Sequence, residues 1–156
     1  MDLQQFKKRI KKVEDLGEEP VFYGKVSLTE IKEVESALNI HLDKEITAYL
    51  REFGGGGVPD LLNTNGIIPE NPLSDNLYTL YGATIYSREE YALPPNYVVI
   101  DAEFPEKCWV LDCTNPEKNG IFFYNCIVQK IETKFDDSFQ EYLITGWEMY
   151  IEDEEE

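Results

Sequence analysis

The chain begins with apolar residues spaced as in an amphipathic helix. They recur at three- and four-residue intervals, at Leu3, Phe6, Ile10 and Val13. Asp2 stands immediately before this stripe, where its carboxylate can accept the free N–H groups of a first helical turn. Gly17 follows Leu16 and is placed to end the helix. The opposite face carries a run of basic side chains, Lys7, Lys8, Arg9, Lys11 and Lys12.

Two further helices are predicted before the first glycine tract. Ser27-Leu28-Thr29-Glu30 has the form of a capping box, in which the serine oxygen and the glutamate carboxylate each accept a backbone N–H at a helix start. Asp43 offers another cap. It precedes the most regular helical stripe of the sequence, Ile46, Tyr49, Leu50 and Phe53. The tract Gly54-Gly55-Gly56-Gly57 is expected to end this helix and lead tightly into a sheet.

After the glycines the pattern changes to short apolar runs separated by turn residues. Runs at 97–100, 108–111 and 121–124 are rich in β-branched and aromatic residues and are predicted as strands. Residues 115–120 have the composition of a hairpin loop between the last two. Ser138 and Glu141 have the spacing of a second capping box, which opens a C-terminal helix.

Helices that flank a sheet-rich middle predict an α+β fold. We expect one domain over residues 1–151, in which the N-terminal helices and the C-terminal helix pack on a mostly antiparallel sheet. The last five residues, 152–156, are all acidic, and a run of like charges predicts a disordered tail.

Charge narrows the possible partners. The 156 residues include 14 Lys and Arg against 31 Asp and Glu, a formal net charge of −17. Such a surface repels the phosphate backbone, so we expect no direct binding of nucleic acid. The basic first helix could contact an anionic membrane or a partner, but packing against the acidic body of its own fold is the favoured interpretation.

The sequence also bears on the compartment. It contains no long apolar stretch and no basic N-terminal segment followed by an apolar one, so neither a membrane span nor a signal peptide is expected. Its three cysteines, Cys108, Cys113 and Cys126, form no CxxC pair and leave one thiol over in any disulfide scheme. We therefore expect a cytoplasmic protein with reduced structural thiols.

Signals for catalysis or cofactors are weak. His41 is the only histidine, which excludes multi-histidine metal sites and leaves a Cys113–His41 dyad as a formal possibility without support for proximity. The glycine tract follows a helix instead of preceding one, so it presents the wrong end of a helix dipole to a phosphate. No cofactor, metal or catalytic residue is predicted.

Half of the ten tyrosines fall within 20 residues, at Tyr78, Tyr81, Tyr86, Tyr91 and Tyr97. Tyrosine is a common anchor in protein interfaces, because it offers a large contact area with few rotatable bonds. Half-buried positions in a sheet are the favoured alternative.

Several motifs follow one another in a recognisable order along the chain. The first comprises Ile31, Glu35, Leu38, Leu42, Tyr49, Leu50, Phe53 and Gly54-Gly55-Gly56. It is followed by Val98-Val99-Ile100-Asp101, by Trp109-Val110-Leu111-Asp112 and by a closing helix from Ser138 to Leu143. In order and spacing these motifs resemble the SUKH superfamily, which includes the yeast cell-wall assembly regulator Knr, the Syd proteins and many bacterial immunity proteins. Asp43 replaces the family's usual proline, a neutral exchange because both residues favour a helix start.

This resemblance implies a Knr-like fold and a non-enzymatic mode of action. The hypothesis is a bacterial immunity protein that binds and neutralises a cognate toxin domain, a basic nuclease in the favoured version. The alternative is a regulatory scaffold domain that binds cellular signalling proteins, as in the yeast relative. A hydrolase that uses acidic residues such as Asp101, Asp112 and Asp137 is a third and weaker possibility.

Exposure and charge indicate a candidate partner-binding set. Its members are Gly55, Gly56, Asp60, Glu70, Asp75, Tyr78, Tyr81, Asp101 and Glu103. A second set of matched positions is expected to be structural: Glu35, Gly54, Asp112, Ser138 and Glu141. Of these, Glu35 is expected either to bind backbone groups near the glycine tract or to be a solvated surface residue.

Overall fold

The computed structural model describes residues 2–115 and 120–155, within which it has five helices and seven strands. The helices are α1 (Leu3–Asp15), α2 (Leu28–Leu38), α3 (Lys44–Phe53), α4 (Leu80–Tyr91) and α5 (Phe139–Glu155). The strands are β1 (Val21–Phe22), β2 (Gly56–Val58), β3 (Leu62–Thr64), β4 (Tyr97–Glu103), β5 (Lys107–Asp112), β6 (Ile121–Asn125) and β7 (Lys130–Asp136). The predicted α+β class is confirmed.

The predicted caps begin the first three helices. Asp2 Oδ1 accepts the Gln4 N–H of α1 at 3.0 Å. Ser27 and Glu30 form the full capping box at the start of α2. Asp43 Oδ1 accepts the N–H of Ile46 at 3.0 Å at the start of α3. Each carboxylate or hydroxyl satisfies a donor that a helix start leaves without a partner.

The strands form two antiparallel sheets, a small one in the order β1-β2-β3 and a larger one in the order β4-β5-β6-β7. The three predicted strands are β4, β5 and β6. The hairpin predicted at 115–120 would connect β5 to β6, which do pair antiparallel, but residues 116–119 lie outside the described residues.

The four glycines make the small sheet possible. Gly54 ends α3 in the left-handed region, and Gly55, Gly56 and Gly57 also have positive φ angles of 134°, 104° and 136°. A Cβ atom at Gly54 would run into the carbonyl oxygen of Gly24, and one at Gly57 into that of Leu62. Only glycine allows β2 to lie this close to its neighbours, which confirms the predicted tight passage into a sheet.

The basic first helix packs onto the protein's own acidic body. The buried Phe6 ring of α1 lies 5.1 Å from the ring of Phe53 and 5.0 Å from that of Trp147 on α5. On the rim, Lys7 pairs with Glu52 at 3.4 Å, and Arg9 with Glu148 at 3.0 Å. The favoured interpretation of this helix is therefore confirmed. No helix in the described ranges has the length and apolar character needed to cross a bilayer.

Two sequence-based expectations differ from the structure. The predicted disordered tail is helical as far as Glu155, the last described residue, because α5 is anchored by the buried Ile151 and a formed helix extends at little cost. The prediction of half-buried sheet positions is wrong for Tyr78, an exposed turn residue, and for Tyr81, Tyr86 and Tyr91, which lie on α4. This helix buries residues on several sides, so its sequence lacks the amphipathic stripe that would have revealed it.

Candidate partner interface

A groove of about 240 Å³ opens where the small sheet, the large sheet and α5 meet. We call it the aromatic groove. Strand β3 and the residue before it form one side, β4, β5 and β7 contribute one residue each, and α5 closes the other side. Its lining residues are Leu61, Leu62, Asn63, Thr64, Asp101, Trp109, Phe135, Tyr142, Leu143, Gly146 and Trp147.

A β-bulge turns Asp101 toward this groove. Val99 pairs with Val110, but the next pair is Asp101 with Trp109, so Ile100 is an extra residue on β4. The bulge reverses the alternation of faces and places Asp101 beside Trp109. The Ile100 carbonyl accepts the Asn65 N–H at 2.7 Å, which ties the bulge to the end of β3.

Burial controls the charge of Asp101. It raises the pKa of this carboxyl to about 7, and the charge of Glu103 acts in the same direction, while a hydrogen bond from the Ala102 N–H to Oδ1 at 2.9 Å opposes both. Burial likewise raises the pKa of Tyr23 to about 12 and that of Tyr142 well above its usual value, with the charge of Asp101 contributing to both. The groove therefore holds one carboxyl that titrates near neutral pH beside the neutral phenol of Tyr142.

Aromatic rings form a continuous row from the large sheet to α5. Trp109 lies 5.3 Å from Phe123, Phe123 lies 5.0 Å from Phe135, and Phe135 lies 6.0 Å from Tyr142. Lys107 Nζ lies 5.5 Å from the centroid of the Trp109 ring. The row thus already attracts one cation within the protein.

A second cleft adjoins the groove through Asn63, which lines both. We call it the glycine cleft; its lining residues are Val21, Tyr23, Gly56, Gly57, Pro59, Asp60, Asn63 and Tyr78. The Tyr23 hydroxyl donates to the Tyr78 carbonyl at 2.8 Å and holds the two chain segments together. The aromatic groove and the glycine cleft together are the candidate partner face.

Several exposed apolar side chains lie on this face. Val21 and Tyr78 are each 60% exposed, Leu61 is 55% exposed and Phe135 is 46% exposed, and all four line the groove or the cleft. Single exposed apolar residues are ordinary, but a contiguous set beside a carboxylate is typical of a protein-binding surface.

The candidate face includes four members of the predicted partner-binding set. Asp60 and Tyr78 are exposed and line the glycine cleft, and the buried backbone of Gly56 lines it as well. Asp101 lines the aromatic groove. Their role in binding stays a prediction, but the structure does bring them onto one surface.

The other five members of that set lie elsewhere. Gly55 is buried against Gly66, and Tyr81 is half-buried against the main core, so neither offers an exposed surface. The Glu70 N–H donates to Glu30 at 2.6 Å at the start of α2, and Asp75 is exposed in the loop before α4. Glu103 pairs with Lys107 at 3.8 Å on the turn between β4 and β5.

Three members of the structural set, Asp112, Ser138 and Glu141, form local hydrogen bonds. Asp112 Oδ1 accepts the N–H and hydroxyl of Thr114, at 2.9 and 2.6 Å, which shapes the chain after β5. The Ser138 hydroxyl accepts the Glu141 N–H at 3.1 Å, but the Glu141 carboxylate accepts from Asp137 and not from Ser138, so the second capping box is displaced by one residue.

Glu35 binds a different part of the backbone from the one expected. Its Oε2 accepts the Leu42 N–H at 2.7 Å and lies 3.2 Å from His41 Nδ1, so it orders the loop between α2 and α3 and not the glycine tract. The surface alternative is also wrong, since the side chain is only 15% exposed.

Sequence reasoning missed most of the groove walls. Trp109, Phe135, Tyr142 and Trp147 were not predicted as site residues, because they lie on three elements, β5, β7 and α5, that are separate along the chain. Gly146 carried the clearest unused signal: a glycine inside a helix is unfavourable and often marks a packing or functional position. Here a Cβ atom at Gly146 would meet no atom within 4 Å, since the position faces open space in the groove.

The part of the chain that the structure describes contains no group of three or more histidine, cysteine or acidic side chains placed to hold a metal ion. Of the three carboxylates considered for hydrolysis, only Asp101 lines the groove. Asp112 contacts Thr114, and Asp137 pairs with Lys134 at 2.7 Å.

Comparison with known families gives one match. The model of the SMI1 / KNR4 family (SUKH-1) matches residues 25–145, well over half of the chain. This span begins just before α2 and ends within α5. It includes the glycine tract, the large sheet, strands β2 and β3 of the small sheet, and every lining residue of the aromatic groove except Gly146 and Trp147. A search of curated proteins finds no match.

Proposed function

Since the chain belongs to the SMI1 / KNR4 family (SUKH-1), we propose that it is an immunity protein of a bacterial toxin system. It binds a cognate toxin domain, a basic nuclease, in the cytoplasm and neutralises it without catalysis. The family includes immunity proteins and Knr4-like regulators and is generally non-catalytic. In this proposal the protein contacts neither nucleic acid nor membrane directly.

The candidate partner face is the observation that supports this function. It combines exposed apolar side chains, a concave shape and a carboxylate, the features that anchor protein interfaces. Tyr78 and Phe135 supply large exposed rings at its two ends. A partner side chain that enters either depression would be largely removed from water, which is where interface energy concentrates.

The charge of the whole molecule favours a basic partner. A net charge of −17 raises the encounter rate with a cationic protein and does little to hold the complex together. Association with the toxin should therefore slow markedly between 50 and 300 mM salt, while dissociation changes less. Stopped-flow or surface-binding kinetics measure both rates, and an association rate independent of salt would contradict a basic partner.

Co-expression tests the proposal directly. The C-terminal domain encoded by the neighbouring gene is expressed in cells alone or together with this protein, and growth is scored. Growth arrest that co-expression relieves is the expected result. No toxicity, or toxicity without rescue, would contradict immunity and favour the regulatory scaffold that binds signalling proteins.

A variant of Gly146 connects rescue to the aromatic groove. Gly146→Leu places a side chain in the groove at a helix position with open space around it, so the fold is expected to tolerate it. Ala37→Leu, on the exposed face of α2, is the matched control. We expect Ala37→Leu to rescue growth as well as the parent and Gly146→Leu to fail. Equal rescue by both would remove the aromatic groove from the interface.

A further inference from the structure

We propose that the aromatic groove receives an arginine side chain of the partner, with the guanidinium on the Asp101 carboxylate and between the aromatic walls. This inference deepens the proposed function and rests on its premise that the partner is a protein. It assigns to one pocket the residue type that the partner must present.

Asp101 has no cationic partner among the described residues. Within this part of the chain, only the Ala102 N–H donates a hydrogen bond to the Asp101 carboxylate, at Oδ1, so Oδ2 remains available. Within residues 2–115 and 120–155, no lysine, arginine or histidine lines the groove or lies within 4.0 Å of Asp101. A half-buried carboxylate is normally paired, and here the missing partner is a positive charge.

The walls of the groove suit a planar cation in both shape and chemistry. Trp109 and Tyr142 bring aromatic rings to the same depression as the carboxylate, and Phe135 lies at the rim. Aromatic faces attract cations, and Lys107 above Trp109 shows that this row does so within the fold. A planar guanidinium stacks on such rings and binds a carboxylate through two parallel N–H groups.

These two requirements distinguish arginine from other cations. Lysine provides a compact, strongly hydrated charge that gains less from a dry aromatic wall. A metal ion needs several oxygen, nitrogen or sulfur ligands, and Asp101 is the only carboxylate among the lining residues. Gly146 leaves the α5 side open, so a long side chain can enter without moving the helix.

The groove contains intrinsic fluorescent residues that can report on binding. The chain has two tryptophans, Trp109 and Trp147, and both line the groove. Intrinsic fluorescence of the full chain therefore reports on this pocket without a label. The probe is a blocked Gly-Arg-Gly peptide, compared at constant ionic strength with the same peptide containing citrulline or lysine. Citrulline keeps the planar shape of arginine and removes the charge.

We expect the arginine peptide to produce a saturable change, with citrulline at least tenfold weaker and lysine weaker than arginine. Asp101→Asn should abolish the response, whereas Glu33→Gln, which removes one exposed charge on α2, should leave it unchanged. Gly146→Leu should abolish it as well by filling the pocket. An equal response to citrulline, an equal response to lysine, or an unchanged response in Asp101→Asn would overturn the inference.

Binding should also strengthen with pH. With a pKa of about 7, Asp101 is about one-tenth ionised at pH 6 and about nine-tenths ionised at pH 8, so affinity should rise up to about tenfold. The groups that interact with Asp101 are Glu103 on β4, Tyr23 after β1, Cys108 on β5 and Tyr142 on α5, and Asp136 on β7 acts on Tyr142. The two phenols and the thiol have raised pKa values and stay neutral in this range. A pH-independent affinity would contradict the assignment to Asp101.

The peptide test and the growth test distinguish failure of the arginine pocket from failure of the proposed immunity function. Arginine binding without growth rescue would leave the pocket assigned and reject immunity. Rescue by Asp101→Asn equal to that of the parent, together with no arginine binding, would keep immunity and reject the pocket.

Discussion

Replacing Asp101 by asparagine should stabilise the protein, and the gain should depend on pH. Asparagine has nearly the same shape and keeps an oxygen for the Ala102 N–H, so the hydrogen bond at 2.9 Å is retained. The substitution removes a negative charge that burial and the neighbouring Glu103 make unfavourable. Its effect therefore measures the cost of holding an ionised carboxylate in the aromatic groove.

The magnitude follows from the change in pKa between the unfolded and folded chain. Folding raises the pKa of Asp101 from 3.8 to about 7. A tenfold change in proton affinity is worth about 1.4 kcal/mol, so the upper limit is about 4 kcal/mol. Asp101 is half-buried and not fully buried, and partial hydration at the groove rim lowers the expected value to about 2–3 kcal/mol.

The free energy of unfolding changes with pH in the opposite direction to that expected for a salt-bridged carboxylate. Below pH 3.8 Asp101 is protonated in both states and adds no pH dependence. Between pH 3.8 and 7 the unfolded chain loses the proton and the folded chain keeps it, so the free energy of unfolding decreases as pH rises. Above pH 7 both states are ionised, and the full cost is present.

Urea denaturation of the parent and Asp101→Asn at half-unit steps from pH 5 to 8.5 tests this. We expect the difference in unfolding free energy to be smallest at pH 5 and to level off above pH 7.5 at about 2–3 kcal/mol in favour of Asp101→Asn. Both proteins contain the other carboxyls whose pKa is raised, such as Asp43 and Asp136, so their contribution to the pH dependence cancels in the difference. A difference that does not change with pH, or a less stable variant at pH 8, would refute the reasoning.

Two further pairs of substitutions test the fold. Gly57→Ala should destabilise the protein by about 2–3 kcal/mol, because the new Cβ would meet the Leu62 carbonyl oxygen at a residue with positive φ. Gly146→Ala should instead stabilise the protein by up to about 1 kcal/mol, because this helix position has open space around it. Similar urea midpoints for the two would contradict the close approach of β2. Asp43→Ala should lower the stability by about 1 kcal/mol, because it removes the side-chain oxygen that accepts the Ile46 N–H. Asp43→Asn keeps such an oxygen and should lower the stability much less. Equal losses in thermal unfolding would show that the cap is not the cause.

Local sequence signals were sufficient to predict most of the helices and the strands β4, β5 and β6. Capping residues and apolar stripes placed α1, α2, α3 and α5, because both act over one or two turns. Helix α4 was missed because it is buried on several sides and rich in tyrosine, which favours strands. Strand β7 was missed because it is an exposed edge strand with the polar composition of a loop.

Local sequence patterns do not predict the aromatic groove. Asp101 enters it only because the bulge at Ile100 reverses the faces of β4, and nothing in the local pattern marks that bulge. Its walls come from β3, β5, β7 and α5, which are far apart along the chain. The predicted set nevertheless included Asp101, Asp60 and Tyr78, since charge and exposure were sufficient to suggest them.

The unfavourable burial of Asp101 has a consequence for binding. The carboxylate has already lost much of its water when the protein folds, so an arriving guanidinium needs to displace little of it. Binding to the ionised form lowers the pKa of Asp101 and releases the proton that about half of the molecules carry at pH 7. Calorimetry of the arginine peptide in buffers of different ionisation enthalpy should therefore show release of about 0.5 proton at pH 7 and about none at pH 8.5. A release unaffected by pH would mean that the guanidinium binds elsewhere, because Asp101 is the only carboxyl that lines the groove in the part of the chain that the structure describes.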